Sequence, residues 1–342
     1  MRAPPTSTLV VHHFGPDPTT LGGMASVIRL LSQHRVGGDI VTAHPTWTPA
    51  SRLRTALLFS SAARALLKMS TGEIAHMHLS EGGSFLREGF LVALAGKRRI
   101  STVVTIHGAS FIPFERAHPH LVSWVLRHAQ LVTCLDRETH NVTRRSAPGV
   151  PCEIVANPVF VEDSTSPADE TGELVVFAGE IGLRKGADVL YRAWQLVAER
   201  RPNARCLVVG PPAGFAPASI ERFEVLPPVD QTEMRQILRR ARVIALPSRA
   251  DRMPMTLIEA MSLGRPFVST PVGGIPELAE KGGLLVPVED EIALADRLTD
   301  LLADPELARA IGERGRKFCI ETHGIEIIDH RLRALYSSVV KT

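Results

Sequence analysis

Several features that define other protein classes are scarce in this 342-residue chain. Aromatic residues make up only 5% of it, and its four cysteines have neither metal-ligand nor redox-pair spacing. We therefore expect free thiols in a reducing compartment and no metal site. No apolar run reaches the roughly 18 residues that a membrane span requires, and the apolar stretch within residues 1–14 is too short for a signal peptide. These absences predict a cytoplasmic protein.

Length and charge narrow the class further. Hydrophobic residues form 44% of the chain and charged residues 22%, which is ordinary for a globular protein, and the length suits two domains of roughly 150 residues. Residues 1–165 hold 16 Lys and Arg against 11 Asp and Glu, whereas the remainder holds 23 against 25. A basic N-terminal half suits an anionic membrane, a phosphorylated acceptor or an ordinary solvated face. We expect no nucleic-acid partner.

Short apolar or β-branched segments alternate with helical periods throughout the chain. This alternation predicts an α/β fold with two doubly wound, Rossmann-like domains, in which ligands bind outside the carboxyl ends of parallel strands. The predicted strands are 8–14, 39–45, 73–79, 101–108, 130–136 and 152–158 in the first half, and 173–179, 204–210, 223–227, 242–248, 266–270 and 283–288 in the second.

The division between the two domains is marked by composition. Residues 161–172 are rich in Asp, Glu, Ser, Thr and Pro and have no periodicity, which is typical of a linker. We predict one domain over residues 1–165 and a second over 166–325. The amphipathic helix at 326–342 is free to pack back on the first domain.

The stretch from Pro247 to Leu278 holds the strongest pattern for a binding site. A strand runs into a polar loop containing Asp251, and Pro254 suits the first position of the helix that follows. Free N–H groups at Met255 and Thr256 would then form an anion site suited to a diphosphate. Glu259 lies eight residues after Asp251, so two carboxylates, which are strong acceptors for sugar hydroxyls, can approach one ligand.

This stretch resembles the signature of the retaining GT-B glycosyltransferases often grouped as family four, the glycosyl transferases of group 1. The match covers Asp251 through Gly264 and continues through the Gly273-Gly274 turn. The resemblance implies that Glu259 binds ribose hydroxyls and that Asp251 binds hydroxyls of the donor sugar. The family usually has Glu where this chain has Asp251, which leaves the donor sugar open.

A second segment, from Val175 to Leu190, resembles the phosphate-binding part of the same family. The resemblance places Lys185 on the donor diphosphate. Glu180, however, occupies the position where the family has an arginine, and a carboxylate there would repel a diphosphate. We therefore expect Glu180 to turn towards Lys185, Arg184 or a donor hydroxyl. Arg184 is a candidate for the missing cation, and an ordinary surface position is the alternative.

In the first half, Gly22 and Gly23 precede an amphipathic helix, where glycines allow close approach of backbone N–H groups to phosphate. They resemble the family's glycine loop over the donor. His107 ends a predicted strand in a Thr-x-His-Gly context similar to the family's histidine near the donor sugar, which implies a hydrogen bond to that sugar. For His12, His76 and His78 we favour structural roles.

The segment from His76 to Arg99 resembles one in transferases that build capsular or exopolysaccharide repeat units. It implies acceptor-binding roles for Glu81, Ser84 and Arg87, with helix capping by Glu81 as the alternative. The preceding segment, 50–69, is amphipathic and carries four basic residues. Docking on a membrane at its inner, cytoplasmic face and ordinary core packing both explain this segment.

The combined expectation is a metal-independent, retaining transferase of the hexosyl type in polysaccharide biosynthesis, without a cofactor. The donor would be a UDP- or GDP-sugar bound by the domain at 166–325, with the base read near Leu226. The acceptor, bound by the domain at 1–165, would be a glycan, a lipid-linked or a small molecule. A nucleotide-sugar epimerase and a non-catalytic nucleotide-sugar-binding protein remain alternatives. A nicotinamide dehydrogenase is disfavoured, because neither half begins with a clean dinucleotide fingerprint.

Overall fold

The computed structural model describes residues 8–34 and 38–340. Residue contacts divide the chain into two compact units: unit 1 comprises Met1–Pro158 and Ile325–Thr342, and unit 2 comprises Val159–Gly324. Residues 1–7, which belong to the segment considered above for a signal peptide, lie outside the described residues.

Unit 1 is built around a six-stranded, fully parallel sheet of order β2-β1-β3-β4-β5-β6. Its strands are β1 (Val10–Pro16), β2 (Ile40–Trp47), β3 (Ile74–Leu79), β4 (Ser101–Ile106), β5 (Leu131–Cys134) and β6 (Cys152–Ile154). Its first six helices are α1 (Gly23–Gln33), α2 (Arg52–Lys68), α3 (Gly83–Lys97), α4 (Phe111–Ala117), α5 (Pro119–Leu126) and α6 (Arg137–Ser146).

Unit 2 contains a second parallel sheet, of order β11-β9-β7-β12-β13-β14, and a two-stranded ribbon of β10 and β8. Its strands are β7 (Leu174–Ala178), β8 (Ile181–Gly182), β9 (Arg205–Val209), β10 (Pro212–Ala213), β11 (Phe223–Leu226), β12 (Val243–Leu246), β13 (Phe267–Ser269) and β14 (Gly283–Leu285). Its helices are α7 (Ala187–Arg200), α8 (Gln231–Arg240), α9 (Met255–Ser262), α10 (Ile275–Gly282), α11 (Glu291–Ala303) and α12 (Pro305–His323).

The final helix, α13 (Ile325–Val339), belongs to unit 1. It packs against α1 and β4, burying Ile328, Leu332 and Tyr336. Arg333 forms an ion pair with Asp39, and Ser101 donates a hydrogen bond to the carbonyl of Val339 (2.9 Å). The helix therefore completes the core of unit 1 after the chain has passed through unit 2.

Each central strand is buried on both faces, as expected for a parallel sheet covered by helices. All six residues of β3 and of β4 are buried, and so are all four residues of β12. The apolar and β-branched composition that marks these strands in the sequence is thus what fills the two cores. Two Rossmann-like parallel-sheet domains are confirmed.

The structure moves the predicted division between the domains from 165/166 to 158/159. The reason is that residues 159–162 are tied to unit 2: the Val159 N–H donates to the carbonyl of His323 (2.8 Å), and Arg235 pairs with Glu162 (2.7 Å). The composition of the linker shows that it is polar, but it does not show to which unit the segment is attached.

Among the described residues, no helix has the length and apolarity needed to cross a membrane.

Candidate functional site

The first part of the site in unit 2 is the turn that follows β7. The chain forms a short 3-10 turn over Leu183–Lys185, and α7 begins only at Ala187, after one intervening residue. That residue is Gly186, which adopts a left-handed conformation (φ 75°). A Cβ there would lie 1.9 Å from the carbonyl oxygen of Pro247, so only glycine allows this turn to pack on the loop after β12.

The loop after β12 brings Asp251 to Lys185. The Nζ of Lys185 lies 2.5 Å from Oδ2 of Asp251, and the two side chains are only 14% and 10% exposed. The backbone N–H of Arg252 donates to the other carboxylate oxygen (3.1 Å). Lys185 and Asp251, which come from the two segments that resemble the family, therefore form one ion pair in a partly desolvated position, where charge interactions are stronger than at the surface.

The helix α9 starts directly after this loop. Pro254 is its N-cap, with extended backbone (ψ 122°), rather than the first helical residue as the sequence suggested; among the described residues no side chain caps the helix. The hydroxyl of Thr256 donates to the carbonyl of Ala178 at the end of β7 (3.0 Å). This bond holds the positive end of α9 beside the loop of Lys185, where it suits an anion.

The remaining donor-site predictions lie at the same edge of the sheet in unit 2. Glu259 is in the second turn of α9 and is partly buried, and Leu226 ends β11 with a partly exposed side chain. Parallel strands end at the same edge, so the loops after β7, β11 and β12 share it.

Glu180, the main departure from the family pattern, pairs with Arg184. Its Oε2 lies 2.5 Å from an Arg184 guanidinium nitrogen, which confirms one of the partners expected for Glu180. The same guanidinium also donates to the carbonyl of Ala250 (3.2 Å). Both side chains are more than 40% exposed, so the pair is worth little on its own. Its effect is to leave Lys185 as the more buried cation of the loop.

Sequence analysis missed Arg249, which joins the two loops. Its guanidinium makes a two-pronged contact with Asp188 in the first turn of α7 (2.7 and 2.8 Å) and also donates to the carbonyl of Leu183. This hydrogen bonding lowers the pKa of Asp188. The sequence offered no local signal for this contact, because Arg249 and Asp188 lie 61 residues apart.

In unit 1, the predicted site residues lie at the carboxyl ends of β3 and β4. His107 directly follows β4, and its backbone N–H donates to the carbonyl of Leu79 (2.8 Å). The hydroxyl of Ser80 donates to Glu81 (2.9 Å). A Cβ at Gly108 would lie 1.9 Å from Oε2 of Glu81, so the carboxylate of Glu81 rests directly over the backbone that follows His107. The structure thus brings Glu81 close to His107.

Two of the predicted acceptor residues have internal partners. Ser84 donates to Glu88 (2.6 Å) and accepts from the N–H of Ser80 (3.1 Å), while Nε of Arg87 lies 3.5 Å from Glu88. Glu88 is fully buried, and this burial raises the pKa of its carboxyl group. The N-cap of α3 is Gly82, not Glu81, and among the described residues no side chain caps that helix. Ser84 and Glu88 therefore shape the loop that carries Glu81.

The predicted glycine loop lies between β1 and α1. Gly22 is the N-cap of α1 with φ 132°, and the helix starts at Gly23. The space around a Cβ at Gly22 is open. A side chain there would therefore be excluded by the backbone conformation, not by crowding.

A row of buried histidines in unit 1 was also missed as a unit. His13, His76 and His78 are fully buried and each offers a nitrogen within 4.8 Å of the others. The signal was available, because His76 and His78 are two apart on one strand and so share a face of the sheet. His107 contacts this row through His78 (2.9 Å between Nε2 and Nδ1).

Comparison with known proteins finds a family match that lies within unit 2. Residues 172–304 match the family model described as glycosyl transferases group 1. A D-inositol 3-phosphate glycosyltransferase of Jonesia denitrificans is 29% identical over 225 residues, covering 56% of this chain and 53% of that protein. The corresponding protein of Mycobacteroides abscessus is 35% identical over 150 residues, covering 40% and 32%. The matched regions thus span about a third to a half of these relatives.

Solved structures extend the likeness of fold to nearly the whole chain. HepE of Anabaena, solved with UDP and glucose, superposes with a TM-score of 0.73 at 15% identity and covers 96% of this chain and 99% of its own. Sucrose-phosphate synthase of Thermosynechococcus elongatus gives a TM-score of 0.75 at 19% identity, covering 96% and 98%. The chain therefore has the fold of the GT-B glycosyltransferases, and its residues 172–304 match the glycosyl transferases of group 1.

Proposed function

We propose that this chain is a retaining glycosyltransferase that moves a hexosyl group from a UDP- or GDP-sugar to a glycan, lipid-linked or small-molecule acceptor in polysaccharide biosynthesis. The observation that carries the proposal is the ion pair of Lys185 and Asp251 beside the start of α9. A cation and a helix N-terminus suit a diphosphate, and a carboxylate next to them suits a sugar hydroxyl. HepE, which shares the fold, was solved with UDP-glucose.

In the proposed reaction, the acceptor hydroxyl attacks the anomeric carbon on the face from which the diphosphate leaves, and its proton passes to the departing phosphate oxygen. The bond from the anomeric carbon to the diphosphate breaks as the new glycosidic bond forms. Lys185 and the N–H groups at Met255 and Thr256 stabilise the charge that develops on the leaving group. Arg184 adds positive charge once Glu180 releases it. These groups supply the stabilisation without a metal ion.

The remaining roles follow the same division. Glu259 binds the ribose, the backbone near Leu226 reads the base, and Asp251 binds a donor hydroxyl. His107 donates or accepts a hydrogen bond at the donor sugar, and the glycine loop at Gly22 and Gly23 covers the diphosphate. Glu81, with Ser84 and Arg87 shaping its surroundings, binds the acceptor.

The decisive experiment combines binding and turnover. A thermal-shift screen with UDP, GDP and ADP identifies the base, since a ligand at 100 times its dissociation constant adds about 2.7 kcal/mol of stability. UDP- or GDP-sugars are then tested with acceptors in the presence of EDTA, and the anomeric configuration of the product is read by NMR. Inversion of configuration, or activity lost with EDTA and restored by a divalent metal, would contradict the corresponding part of the proposal.

The residue-level test is Lys185→Ala. We expect kcat to fall roughly 100- to 1,000-fold, the loss typical of removing one preorganised group at a developing charge. Arg184→Ala is the matched control, because it removes the neighbouring cation, which is already paired with Glu180 at an exposed position, and we expect a much smaller loss. Near-normal turnover in Lys185→Ala, with the protein folded, would show that the diphosphate binds elsewhere.

We also propose that α2 contacts an anionic membrane surface. Leu53 and Leu57 are 73% and 59% exposed, and Arg52, Arg54 and Lys68 on the same helix are exposed as well. Exposed leucines beside basic residues are typical of helices that lie in the membrane interface. Co-sedimentation with vesicles containing anionic lipid should fall for a Leu53→Glu, Leu57→Glu double variant, and equal binding to neutral vesicles would argue against charge attraction.

A further inference from the structure

One face of the sheet in unit 1 carries a row of polar side chains where an apolar core is the rule. His13 on β1 is in register with His76 on β3, His78 is in register with Thr105 on β4, and Thr105 with Thr133 on β5. All five are buried. Buried polar groups are costly unless they are hydrogen-bonded, so such a row calls for a reason.

Three of the imidazoles form a continuous hydrogen-bonded chain that ends at the predicted site. Nε2 of His107 lies 2.9 Å from Nδ1 of His78, and Nε2 of His78 lies 2.9 Å from Nδ1 of His13. Both nitrogens of His78 are therefore used within the chain. His76 stands beside it, bonded to Tyr336 (2.6 Å) and Thr105 (2.6 Å).

The arrangement does not suit a metal ion, although three nitrogens are close together. The rings of His76 and His78 are stacked, with centroids 4.3 Å apart and an angle of 23° between their planes. A ligand lone pair lies in the plane of its ring, so nearly parallel stacked rings cannot both aim at one ion close to them. The nitrogens of His78 already hydrogen-bond to His13 and His107, and those of His76 to Tyr336 and Thr105.

The hydrogen-bonded histidines His13, His78 and His107 must all be neutral imidazoles. Burial lowers the pKa of His13 and of His107 to about 3, and it lowers the pKa of His78 well below its ordinary value. A neutral imidazole has one N–H and one acceptor nitrogen. If His78 donates to His107, it must accept from His13, and if it donates to His13, it must accept from His107.

This count links the three protons. In one state His13, His78 and His107 all carry hydrogen on Nδ1, and in the other all three carry it on Nε2. We propose that His78 and His13 are positioning residues that couple the tautomer of His107 to their own, so that its second nitrogen, Nδ1, keeps one hydrogen-bonding character towards the donor sugar as long as the hydrogen-bonded row keeps its direction. The inference rests on the proposed function for the sugar contact but not for the tautomers themselves.

The tautomers can be measured directly. Long-range ¹H–¹⁵N correlation spectra of ¹⁵N-histidine-labelled protein distinguish Nδ1–H from Nε2–H rings, with His13→Asn, His78→Asn and His107→Gln used for assignment. We expect the same tautomer for all three residues at neutral pH. Unlike tautomers, an imidazolium among the three, or Zn²⁺ binding that shifts the signals of His13 and His78 together, would overturn the proposal.

Activity supplies a second, independent readout. His13→Leu, which leaves His107 and its neighbour in place, should lower kcat about tenfold with little change in the donor KM, as expected for one hydrogen bond lost from the chain. His13→Asn should recover most of this loss, because its amide reaches the position of Nδ1. In a His107→Gln background, His13→Leu should have no further effect.

A failure of the positioning role can be distinguished from a failure of the proposed function. Additive losses from His13→Leu and His107→Gln would show that His13 acts on the fold and not through His107, which would overturn the positioning role. If wild-type protein transfers no sugar from any donor, the proposed function fails while the spectra still decide whether the histidine chain exists. If His13→Leu is not folded, the spectra and His78→Asn, which should uncouple the tautomer of His107 from that of His13, decide the question.

Discussion

The two units place their candidate site residues in opposite electrostatic settings. In unit 2 the site consists of ion pairs on loops: Lys185 with Asp251, Arg184 with Glu180, and Arg249 with Asp188. In unit 1 it leads back into a sheet through neutral imidazoles and hydroxyls. A site for a charged diphosphate needs compensating charges that can exchange partners, whereas a hydrogen bond to an uncharged sugar needs one fixed donor or acceptor. The contrast matches the proposed division of roles.

The largest expected effect is a difference between the two units in how their stability depends on pH. His13, His76, His78 and His107 are neutral when folded because burial lowers their pKa, to about 3 for His13 and His107, whereas the unfolded chain takes up protons below about 6.5. Unit 1 should therefore lose stability as the pH falls from 6.5 towards these folded pKa values. Well below pH 6.5, where the unfolded histidines are fully protonated, each contributes at most about 1.4 kcal/mol per pH unit, so four give an upper bound of roughly 5 kcal/mol per pH unit.

As the pH falls, unit 2 should lose stability only at a lower pH than unit 1. The pKa of Asp188 is lowered by its hydrogen bonds to Arg249, so the stabilisation it gives is present above its ordinary pKa of 3.8 and is lost only below that pH. Hydrogen exchange read by mass spectrometry between pH 7 and 4, corrected for intrinsic rates, should show opening of β1, β3 and β4 before β7 and β12. His120→Asn, at an exposed position, is the control and should not change the order. Simultaneous opening of both units would contradict the assignment.

Next in size is Gly108→Ala in unit 1. The new methyl group would meet Oε2 of Glu81 at 1.9 Å, so the carboxylate must move. If Glu81 binds the acceptor, kcat/KM for the acceptor should fall roughly 100-fold, the scale of a misplacement by about 1 Å, while UDP binding stays unchanged. Gly72→Ala is the matched control, since its methyl group would enter open space. An unchanged acceptor kcat/KM would remove Glu81 from the acceptor site.

How far the sequence predicts these features depends on how local they are. The apolar strands and the Asp251-to-Glu259 segment are readable because strand periodicity and motif spacing are local properties. The two-residue strands β8 and β10 were missed because two residues carry no period. The pairing of Lys185 with Asp251 joins residues 66 apart, and that of Arg249 with Asp188 residues 61 apart. Such pairs depend on which loops the sheet order brings together.

The pairing of Lys185 makes a sharper prediction for Asp251→Asn than sequence alone. Removing the carboxylate frees the ammonium and removes a negative charge beside the diphosphate, so UDP should bind roughly fivefold more tightly, equivalent to about 1 kcal/mol. Transfer should nevertheless fall, because a donor hydroxyl exchanges a charged carboxylate acceptor for a weaker, neutral amide oxygen. Glu259→Gln is the counterpart and should weaken UDP itself. Calorimetry with UDP and with the donor sugar separates the two roles, and the reverse pattern would exchange them.

The smallest effect is expected for Glu180→Gln. This variant tests whether Arg184 compensates for the carboxylate that stands where the family has an arginine. Glu180 engages Arg184 at an exposed position, where ion pairs contribute little and are screened by salt. Losing the carboxylate should free Arg184 for the diphosphate and tighten UDP binding about twofold at low ionic strength, with no difference in 0.5 M salt, roughly where screening becomes complete. The Arg184→Ala, Glu180→Gln double variant should lose this gain, because the freed guanidinium is its source. If Glu180→Gln weakens UDP binding instead, the carboxylate holds Arg184 in its working position, and the pair acts as one unit.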